Sequence, residues 1–196
     1  MFKRLKEGLK ALLYTYFPNN NKFGRLGKNS IVHKPFRGVK ENVYIGNHTS
    51  ISPRATFVTH AGMLVIKDHC SISGNFTAIT FNHPYERCEH RVNDEHWGKC
   101  SGEKTVIENE VWIGINVTLL PGVIVQRGMI IGANSLLTQK DSFPPYSIVA
   151  GNPARFIKFK YSLEEQIEHE RLFYESCERI PIETLTANWE KYTSKK

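Results

Sequence analysis

The chain has 196 residues, and its 26 Lys and Arg against 19 Asp and Glu give a net charge of +7. This length suits one domain with short terminal additions, and no run of about eighteen apolar residues predicts a transmembrane helix. The positive charge favours an anionic partner, which leaves a polyphosphate ligand, a nucleic acid and a membrane surface all open. Four unevenly spaced cysteines without a secretory signal favour reduced thiols in the cytoplasm over a disulfide framework.

Residues 1–18 are predicted to form a basic amphipathic helix. Its apolar positions recur at helical spacing, at Phe2, Leu5, Leu9, Leu12, Leu13 and Tyr16. Lys3, Arg4, Lys6 and Lys10 lie on the remaining surface, and Pro18 ends the segment. Two roles stay open for such a helix, which either caps the end of a repeat stack or lies on an anionic bilayer.

A six-residue period dominates residues 105–138. An aliphatic position recurs at Ile107, Ile113, Leu119, Val125, Ile131 and Leu137, and a second apolar position follows four residues later at Val111, Val117, Val123 and Met129. A helix repeats every 3.6 residues and an isolated strand every 2. A period of six therefore predicts a coil of three short strands that returns to the same side after three hexads.

The corners of this coil are predicted at the fourth residue of each hexad. Asn116, Gly122, Gly128 and Asn134 occupy that position, and both residue types adopt a positive φ at low cost. An antiparallel sandwich with glycine turns is the alternative. It is disfavoured because sandwich strands are longer and less evenly spaced.

The repeat domain is expected to span residues 27–158, with a weaker form of the period in its first half. The aliphatic position is held by Ile45, Ile51 and Phe57 and, after a slip of three residues at Met63, by Ile66, Ile72 and Ala78. The slip predicts one bulged corner.

A polar insertion over residues 83–104 interrupts the period. Because the repeat resumes in register at Ile107, the insertion must leave and rejoin the same side of the coil. Long insertions in compact folds are usually functional or disordered, so His83, at the base, is predicted to be held by the rigid coil. A zinc site from His83, Cys88, His90, His96 and Cys100 is not expected, because no pair has the C-x₂₋₄-C spacing.

Residues 159–196 are predicted to form a helical extension. Pro144-Pro145 and Gly151-Asn152-Pro153 end the repeat. Ser162 and Glu165 form the pattern of a capping box ahead of one helix, and a second short helix is expected around residues 185–192.

Five motifs between residues 46 and 158 occur together. They are Asn82-His83-Pro84 through Arg87, Val111-Trp112-Ile113-Gly114, Leu120-Pro121-Gly122, Ile131-Gly132-Ala133, and Pro144-Pro145 through Gly151-Asn152-Pro153-Ala154-Arg155. With these motifs the chain resembles the hexapeptide-repeat acyltransferases, in particular the branch of maltose, galactoside and nodulation-factor O-acetyltransferases. The resemblance implies an all-β, left-handed parallel β-helix that forms a homotrimer and binds acetyl-coenzyme A between subunits. Handedness rests on the resemblance alone, because general crossover rules favour the other hand.

The resemblance also implies roles for individual residues. His83 matches the catalytic histidine of the family, and an imidazole suits the removal of a proton from an attacking sugar hydroxyl near pH 7. Cofactor binding is implied for Trp112, Ile115, Ala133, Thr138, Arg155 and Lys158. The backbone N–H of Ile115 is expected to receive the oxyanion, although the family often has a small polar residue there. Packing is the alternative role for Trp112, and an ordinary solvated charge is the alternative for Arg155.

The acceptor is expected to meet polar side chains near the insertion, which would hydrogen-bond sugar hydroxyls. The candidates are Asn82, Tyr85, Glu86, Arg87, Asn75 and His60. Closure of the loop on a neighbouring subunit is the alternative.

These observations predict an acetyl-coenzyme A-dependent O-acetyltransferase that needs no metal and acts on a sugar or a surface-polysaccharide precursor. Its expected location is the cytoplasm, with peripheral contact at the inner membrane face left open. The alternatives are an N-acetyltransferase of a nucleotide-linked amino sugar, a chloramphenicol or streptogramin acetyltransferase, and a non-enzymatic scaffold. No nucleic-acid partner is expected, because aromatic residues are not interleaved with a basic stripe.

Overall fold

The protein is described by a computed structural model that covers residues 23–83 and 101–194. Short parallel strands wind through about five coils and form three faces of a solenoid. The first face contains β1 (Arg25–Leu26), β4 (Val43–Ile45), β7 (Met63–Ile66), β12 (Lys104–Ile107) and β15 (Ile124–Val125). The second face contains β2 (Ile31–Val32), β5 (Ser50–Ile51), β8 (Ser71–Ile72), β13 (Trp112–Ile113), β16 (Ile130–Ile131), β18 (Ser147–Gly151) and β19 (Ala154–Phe159). The third face contains β3 (Arg37–Gly38), β6 (Thr56–Val58), β9 (Thr77–Ile79), β14 (Thr118–Leu119) and β17 (Leu136–Leu137).

The interior is a stack of the aliphatic side chains that mark the hexads. In the fourth and fifth coils, Ile113 pairs with Ile131 and Leu119 with Leu137, so the register advances by 18 residues in each coil. All six aliphatic positions predicted between residues 107 and 137 are at most 1% exposed. Because burying such a side chain stabilises the fold by about 1.5–3 kcal/mol, this stack is the main source of stability. The predicted period is confirmed.

The corners form as the hexads predict. Asn116, Gly122, Gly128 and Asn134 have φ values of 60°, 75°, 68° and 59°. We call the turn from the first to the second face the first corner, the next turn the second corner, and the return to the first face the third corner. At the second corner, Asn75 donates to Asn116 at 2.7 Å and Asn116 donates to Asn134 at 3.0 Å, which ties successive coils together.

Every residue added to the first three coils falls at the third corner. Inward positions are six residues apart across the first and second corners. Across the third corner the step is seven residues from Gly38 to Ile45, nine from Phe57 to Ile66 and 29 from Ala78 to Ile107. The three-residue slip predicted at Met63 is therefore confirmed and lies at this corner. The largest step carries the polar insertion.

After the fifth coil the chain adds a parallel strand, β18, and turns back through the antiparallel strand β19. Two helices follow, α1 (Leu163–Phe173) and α2 (Ile182–Thr193). The capping box predicted at Ser162 is confirmed, because its side chain accepts from the Glu165 N–H and Glu165 accepts from the Ser162 N–H. Within the described part of the chain, neither helix has the length and apolar character of a membrane span.

A buried polar network fixes α1 against the first corner. The Glu170 carboxylate accepts hydrogen bonds from the Tyr146 hydroxyl at 2.6 Å, from Arg127 Nη1 at 2.7 Å and from the Ile180 N–H at 2.9 Å. Burial, together with the hydrogen bond to Glu170, raises the pKa of the Tyr146 hydroxyl far above its usual range. The helix is therefore attached to the solenoid by charge as well as by packing.

A second carboxylate extends the network across the first corner. Glu110 accepts from the Tyr174 hydroxyl, and its Oε2 lies 3.0 Å from His169 Nε2. The Arg127 guanidinium covers the Tyr174 ring at 3.6 Å. The end of α1 and the following loop thus close over the fourth and fifth coils.

Some sequence predictions lie outside the described residues. These are the helix over residues 1–18, the roles of Tyr85, Glu86 and Arg87, and the cysteine and histidine residues between 88 and 100.

Candidate functional site

The polar insertion leaves and rejoins the solenoid through a short antiparallel pair. Strands β10 (Phe81–Asn82) and β11 (Ser101–Gly102) pair Phe81 with Gly102 and Asn82 with Ser101. The Glu103 N–H donates to the Thr80 carbonyl at 2.7 Å. The insertion therefore begins and ends at one point of the third corner, as its register predicts.

Two glycines allow this hairpin base to sit directly on the coil. A Cβ at Gly102 would overlap the carbonyl oxygen of Ala61, and a Cβ at Gly62 would overlap the carbonyl oxygens of Thr80 and Glu103. Gly62 lies among the three residues that the slip adds to the second coil. The three residues added by the slip thus form the surface of the second coil against which the hairpin base packs.

His83 follows β10 directly and is exposed. Its ring packs edge-on against Phe81, with centroids 5.8 Å apart and planes at 76°. His60 also contacts the Phe81 ring edge-on, with centroids 5.8 Å apart and planes at 89°. The structure therefore brings together three of the predicted site residues, His60, Asn82 and His83, at the third corner.

A different part of the solenoid carries most of the predicted cofactor residues. Trp112 lies on the second face and leaves 52% of its surface exposed, while Ile115, at the second corner, is 43% exposed. Ala133 lies one coil further along, where the Asn134 N–H donates to the Ile115 carbonyl at 2.9 Å. Trp112 is therefore available on the surface and is not a core residue.

Small residues make the second face flat beside these side chains. Gly114, Gly132 and Ala150 follow one another on successive coils, and a Cβ at Gly132 would lie only 2.8 Å from the Cβ of Ala150. An extended ligand can approach the backbone closely along such a row.

Two basic side chains lie at the end of this face. On β19, Arg155 pairs with Ala150 and Lys158 pairs with Ile148. Both side chains are exposed. Guanidinium and ammonium groups at this position suit a phosphate-bearing ligand.

Two predicted residues lie away from the groups just described. Thr138 lies at the third corner of the fifth coil, where its N–H donates to Asp141 Oδ2 at 2.6 Å. Asn75 lies at the second corner, where its Oδ1 accepts from Arg54 Nε at 2.6 Å. Within one chain, the structure thus brings neither Thr138 to Trp112 nor Asn75 to His83.

The candidate base and the candidate cofactor surface occupy different sides of one chain. His83 lies at the third corner, whereas Trp112, Ile115 and Ala133 lie on or beside the second face. No three His, Cys, Asp or Glu side chains within residues 23–83 and 101–194 form a group suited to a metal ion.

Phe81 and the two glycines of the hairpin base were not predicted from the sequence. Gly62 and Gly102 could have been found, because each borders a break in the hexad period at the third corner. Phe81 offered no comparable signal, since its contacts with two histidines arise only when two coils stack.

Comparison with known proteins finds a family model that matches part of the repeat. Residues 104–139 match the family model described as bacterial transferase hexapeptide (six repeats). A "Probable macrolide acetyltransferase" of Lysinibacillus sphaericus is 58% identical over 64 residues, which are 33% of this chain and 34% of that protein. The galactoside O-acetyltransferase of Escherichia coli (strain K12) is 31% identical over 137 residues, which are 69% of this chain and 64% of that protein.

A solved structure extends the likeness over most of the chain. A galactoside acetyltransferase in complex with coenzyme A superimposes with a TM-score of 0.65 and 25% identity, over 91% of this chain and 88% of that one. This agreement confirms the left-handed parallel β-helix. The matched segments span only about a third of the macrolide acetyltransferase and about two thirds of the galactoside enzyme.

Proposed function

We propose that this chain is a member of the hexapeptide-repeat family of bacterial transferases and an acetyl-coenzyme A-dependent O-acetyltransferase. Its proposed acceptor is a hydroxyl group of a sugar or of a surface-polysaccharide precursor. The observation that carries the proposal is the position of His83, which the hairpin base holds against Phe81 at the edge of the solenoid.

His83 is proposed to act as the general base. When a sugar hydroxyl attacks the thioester carbonyl, its proton must leave as the new C–O bond forms, and a neutral imidazole accepts it. The same imidazole then returns the proton to the departing thiolate. The ring contact with Phe81 limits the rotation of His83 and favours one orientation for both transfers.

The second face fits the donor. Acetyl-coenzyme A supplies an activated acetyl group on a long pantetheine arm that ends in phosphates. The flat row of Gly114, Gly132 and Ala150 suits the arm, and Arg155 with Lys158 suits the phosphates. Trp112 offers an exposed apolar surface beside the row. The backbone N–H of Ile115 is the proposed donor to the oxyanion, an interaction worth about 3 kcal/mol.

We propose that the working unit is a homotrimer whose sites lie between subunits. In one chain the proposed base and the proposed donor surface face different directions, so each site combines His83 of one copy with the second face of another. Asn82 and His60 lie beside His83 and are proposed to bind the acceptor. Asn75 is proposed to contact it only from the neighbouring copy.

The first prediction concerns His83→Ala. Loss of the base is expected to lower kcat by about 10²–10⁴-fold while the affinity for acetyl-coenzyme A stays unchanged. Thioester consumption is measured over sugars, nucleotide sugars and antibiotics, and donor affinity is measured by calorimetry. His33→Ala, which removes an exposed histidine of the first coil, is the matched control and keeps wild-type turnover. Turnover of His83→Ala within a few-fold of wild type would remove His83 from the mechanism.

The match to the macrolide acetyltransferase favours a second candidate, transfer to a xenobiotic acceptor. The same screen separates the two, since an antibiotic and not a sugar would then support turnover. An N-acetyltransferase of an amino sugar is separated by the size of the His83→Ala effect, because an amine that is already neutral needs less help from a base.

A further inference from the structure

Positive charge is concentrated at one end of the chain. Ten of the 26 Lys and Arg residues, but only one of the 19 Asp and Glu residues, lie in the first 40 positions. These 40 residues carry a net charge of +9, and the remaining 156 carry −2. The net charge of +7 is thus a local property of the N-terminal end.

Five of these ten basic residues lie in the first coil and surround it. Arg25 lies on the first face, Lys28 at the first corner, Lys34 at the second corner, Arg37 on the third face and Lys40 at the third corner. We call these five residues the basic collar. Residues 23–40 contain no acidic side chain. A ring of charge around the end of a prism fits a surface that meets the end, and not a strand that lies along one groove.

Three members of the collar are directed to solvent. Arg25, Lys28 and Arg37 are exposed, and none of the ion pairs between described residues includes them. The opposite end differs, because residues 125–194, from the last coil onward, contain nine acidic and eight basic residues. The molecule is therefore polarised along the axis of the solenoid, which orients it at a charged surface.

We propose that the basic collar docks the N-terminal end of the solenoid on a bilayer rich in anionic lipids. Each Lys or Arg close to such a surface strengthens binding about fivefold, and the effect decays within a Debye length. The surface is separate from the proposed acetyl-transfer site and does not depend on that reaction.

A bilayer fits better than a nucleic acid because of the chain that precedes the collar. Its apolar positions, among them Leu5, Leu9 and Leu12, are spaced as one predicted helical stripe among basic residues. Acyl chains bind such a stripe, whereas a phosphodiester backbone does not use it. Ile31, on the first coil, adds a side chain that is 48% exposed.

The test measures binding of the full chain to phosphatidylcholine vesicles with and without phosphatidylglycerol, by co-sedimentation. Binding is expected only with phosphatidylglycerol and is expected to weaken with added salt. Replacing Arg25, Lys28 and Arg37 together by Gln should lower the partition coefficient by about 100-fold. The matched control replaces Lys140, Lys160 and Lys191 by Gln, which changes the net charge equally at the other end and should change binding less than threefold, roughly.

A second comparison separates a bilayer from any polyanion. Leu5→Gln with Leu12→Gln is expected to reduce vesicle binding while binding to heparin is unchanged. Equal effects of the collar and control variants, equal binding to both kinds of vesicle, or vesicle binding unaffected by the leucine changes would each overturn the proposal. Turnover of a small soluble sugar is measured on the same samples, so a failure of the proposed enzyme function is seen independently.

Discussion

The strands on either side of the first and third corners follow the same six-residue period, but the two corners have different roles. At the first corner no coil has an added residue, and α1 closes over it through the buried carboxylate of Glu170. At the third corner each of the first three coils has added residues, and His83 is exposed there. One corner is built for stability, and the other presents side chains to a ligand.

The difference shows how a regular repeat accommodates function. Added residues at one corner leave the strands in register, because the next inward position still meets the one below it. The insertion after Asn82 therefore leaves the stacking of the inward side chains unchanged. Variants that separate the two corners test this division.

The largest effect on stability is expected at the first corner, for Glu170→Ala. The change leaves Arg127 as a buried charge without its partner and removes an acceptor from Tyr146 and Ile180, so the free energy of unfolding should fall by about 3–5 kcal/mol. Urea unfolding measures the loss, and turnover per folded molecule should stay at the wild-type value.

Glu168→Ala is the control for that variant. Glu168 lies in the same helix but is exposed and only 3.8 Å from Arg171, so its removal should change stability by less than about 0.5 kcal/mol. Equal losses for both variants would mean that the network does not close the corner.

At the third corner, Gly102→Val is expected to affect both stability and turnover. The side chain would meet the carbonyl of Ala61, so the hairpin base must move away from the coil at a cost of about 1–3 kcal/mol. Displacement of His83 should lower kcat more than tenfold. Ser101→Val, at the exposed neighbouring position, should leave both quantities near wild type. Full activity of Gly102→Val would show that the packing of the hairpin base on the coil does not position His83.

A smaller effect is expected for Phe81→Ala. Loss of the edge-on ring contact should lower kcat about three- to tenfold, without a change in acetyl-coenzyme A affinity. Phe81→Tyr keeps the ring and should restore kcat and its pH profile. If the Tyr and Ala variants behave alike, Phe81 fills space and does not orient His83.

The smallest effect concerns the two described cysteines. Burial raises the pKa of the Cys70 thiol to about 12 from an ordinary value near 9.0, whereas Cys177 is exposed. A thiol reagent at pH 8 should modify Cys177 and leave Cys70 intact in the folded chain, as peptide mass spectrometry would show. Cys177→Ser should change stability by less than about 0.5 kcal/mol.

The raised pKa of Cys70 also fixes the direction of a pH effect. The unfolded chain loses this proton near pH 9.0 and the folded chain only near pH 12, so the contribution of Cys70 to stability is complete below pH 9.0 and is lost as the pH rises toward 12. Cys70→Ala should weaken the dependence of stability on pH in that range. An unchanged dependence would contradict the assignment.

The inward residues and the corners were predictable because each depends only on local spacing. Ile113 points into the core because every sixth residue of the repeat does so. Asn134 forms a corner because asparagine tolerates a positive φ. The network at Glu170 was not predictable. It joins Arg127 and Glu170, which are 43 residues apart, and neither neighbourhood in the sequence indicates the other.

The candidate site was predicted in its residue types but not in its division between two corners. The motif around His83 and the residues from Trp112 to Ala133 were both identified from the sequence. The six-residue period does not indicate at which corner of the coil each group lies. Asn75 illustrates the limit, because it is near His83 in the sequence but lies at another corner, bonded to Arg54.

The most direct test of a site shared between copies is activity in mixed oligomers. Chains with His83→Ala lack the proposed base, and chains with Ala133→Trp have a blocked donor surface, so each variant alone should be inactive. In oligomers assembled from equal amounts of both, about a quarter of the sites would combine an intact His83 with an open second face of the other chain, and activity should return to about a quarter of wild type. Mixed oligomers no more active than either variant alone would contradict the shared site.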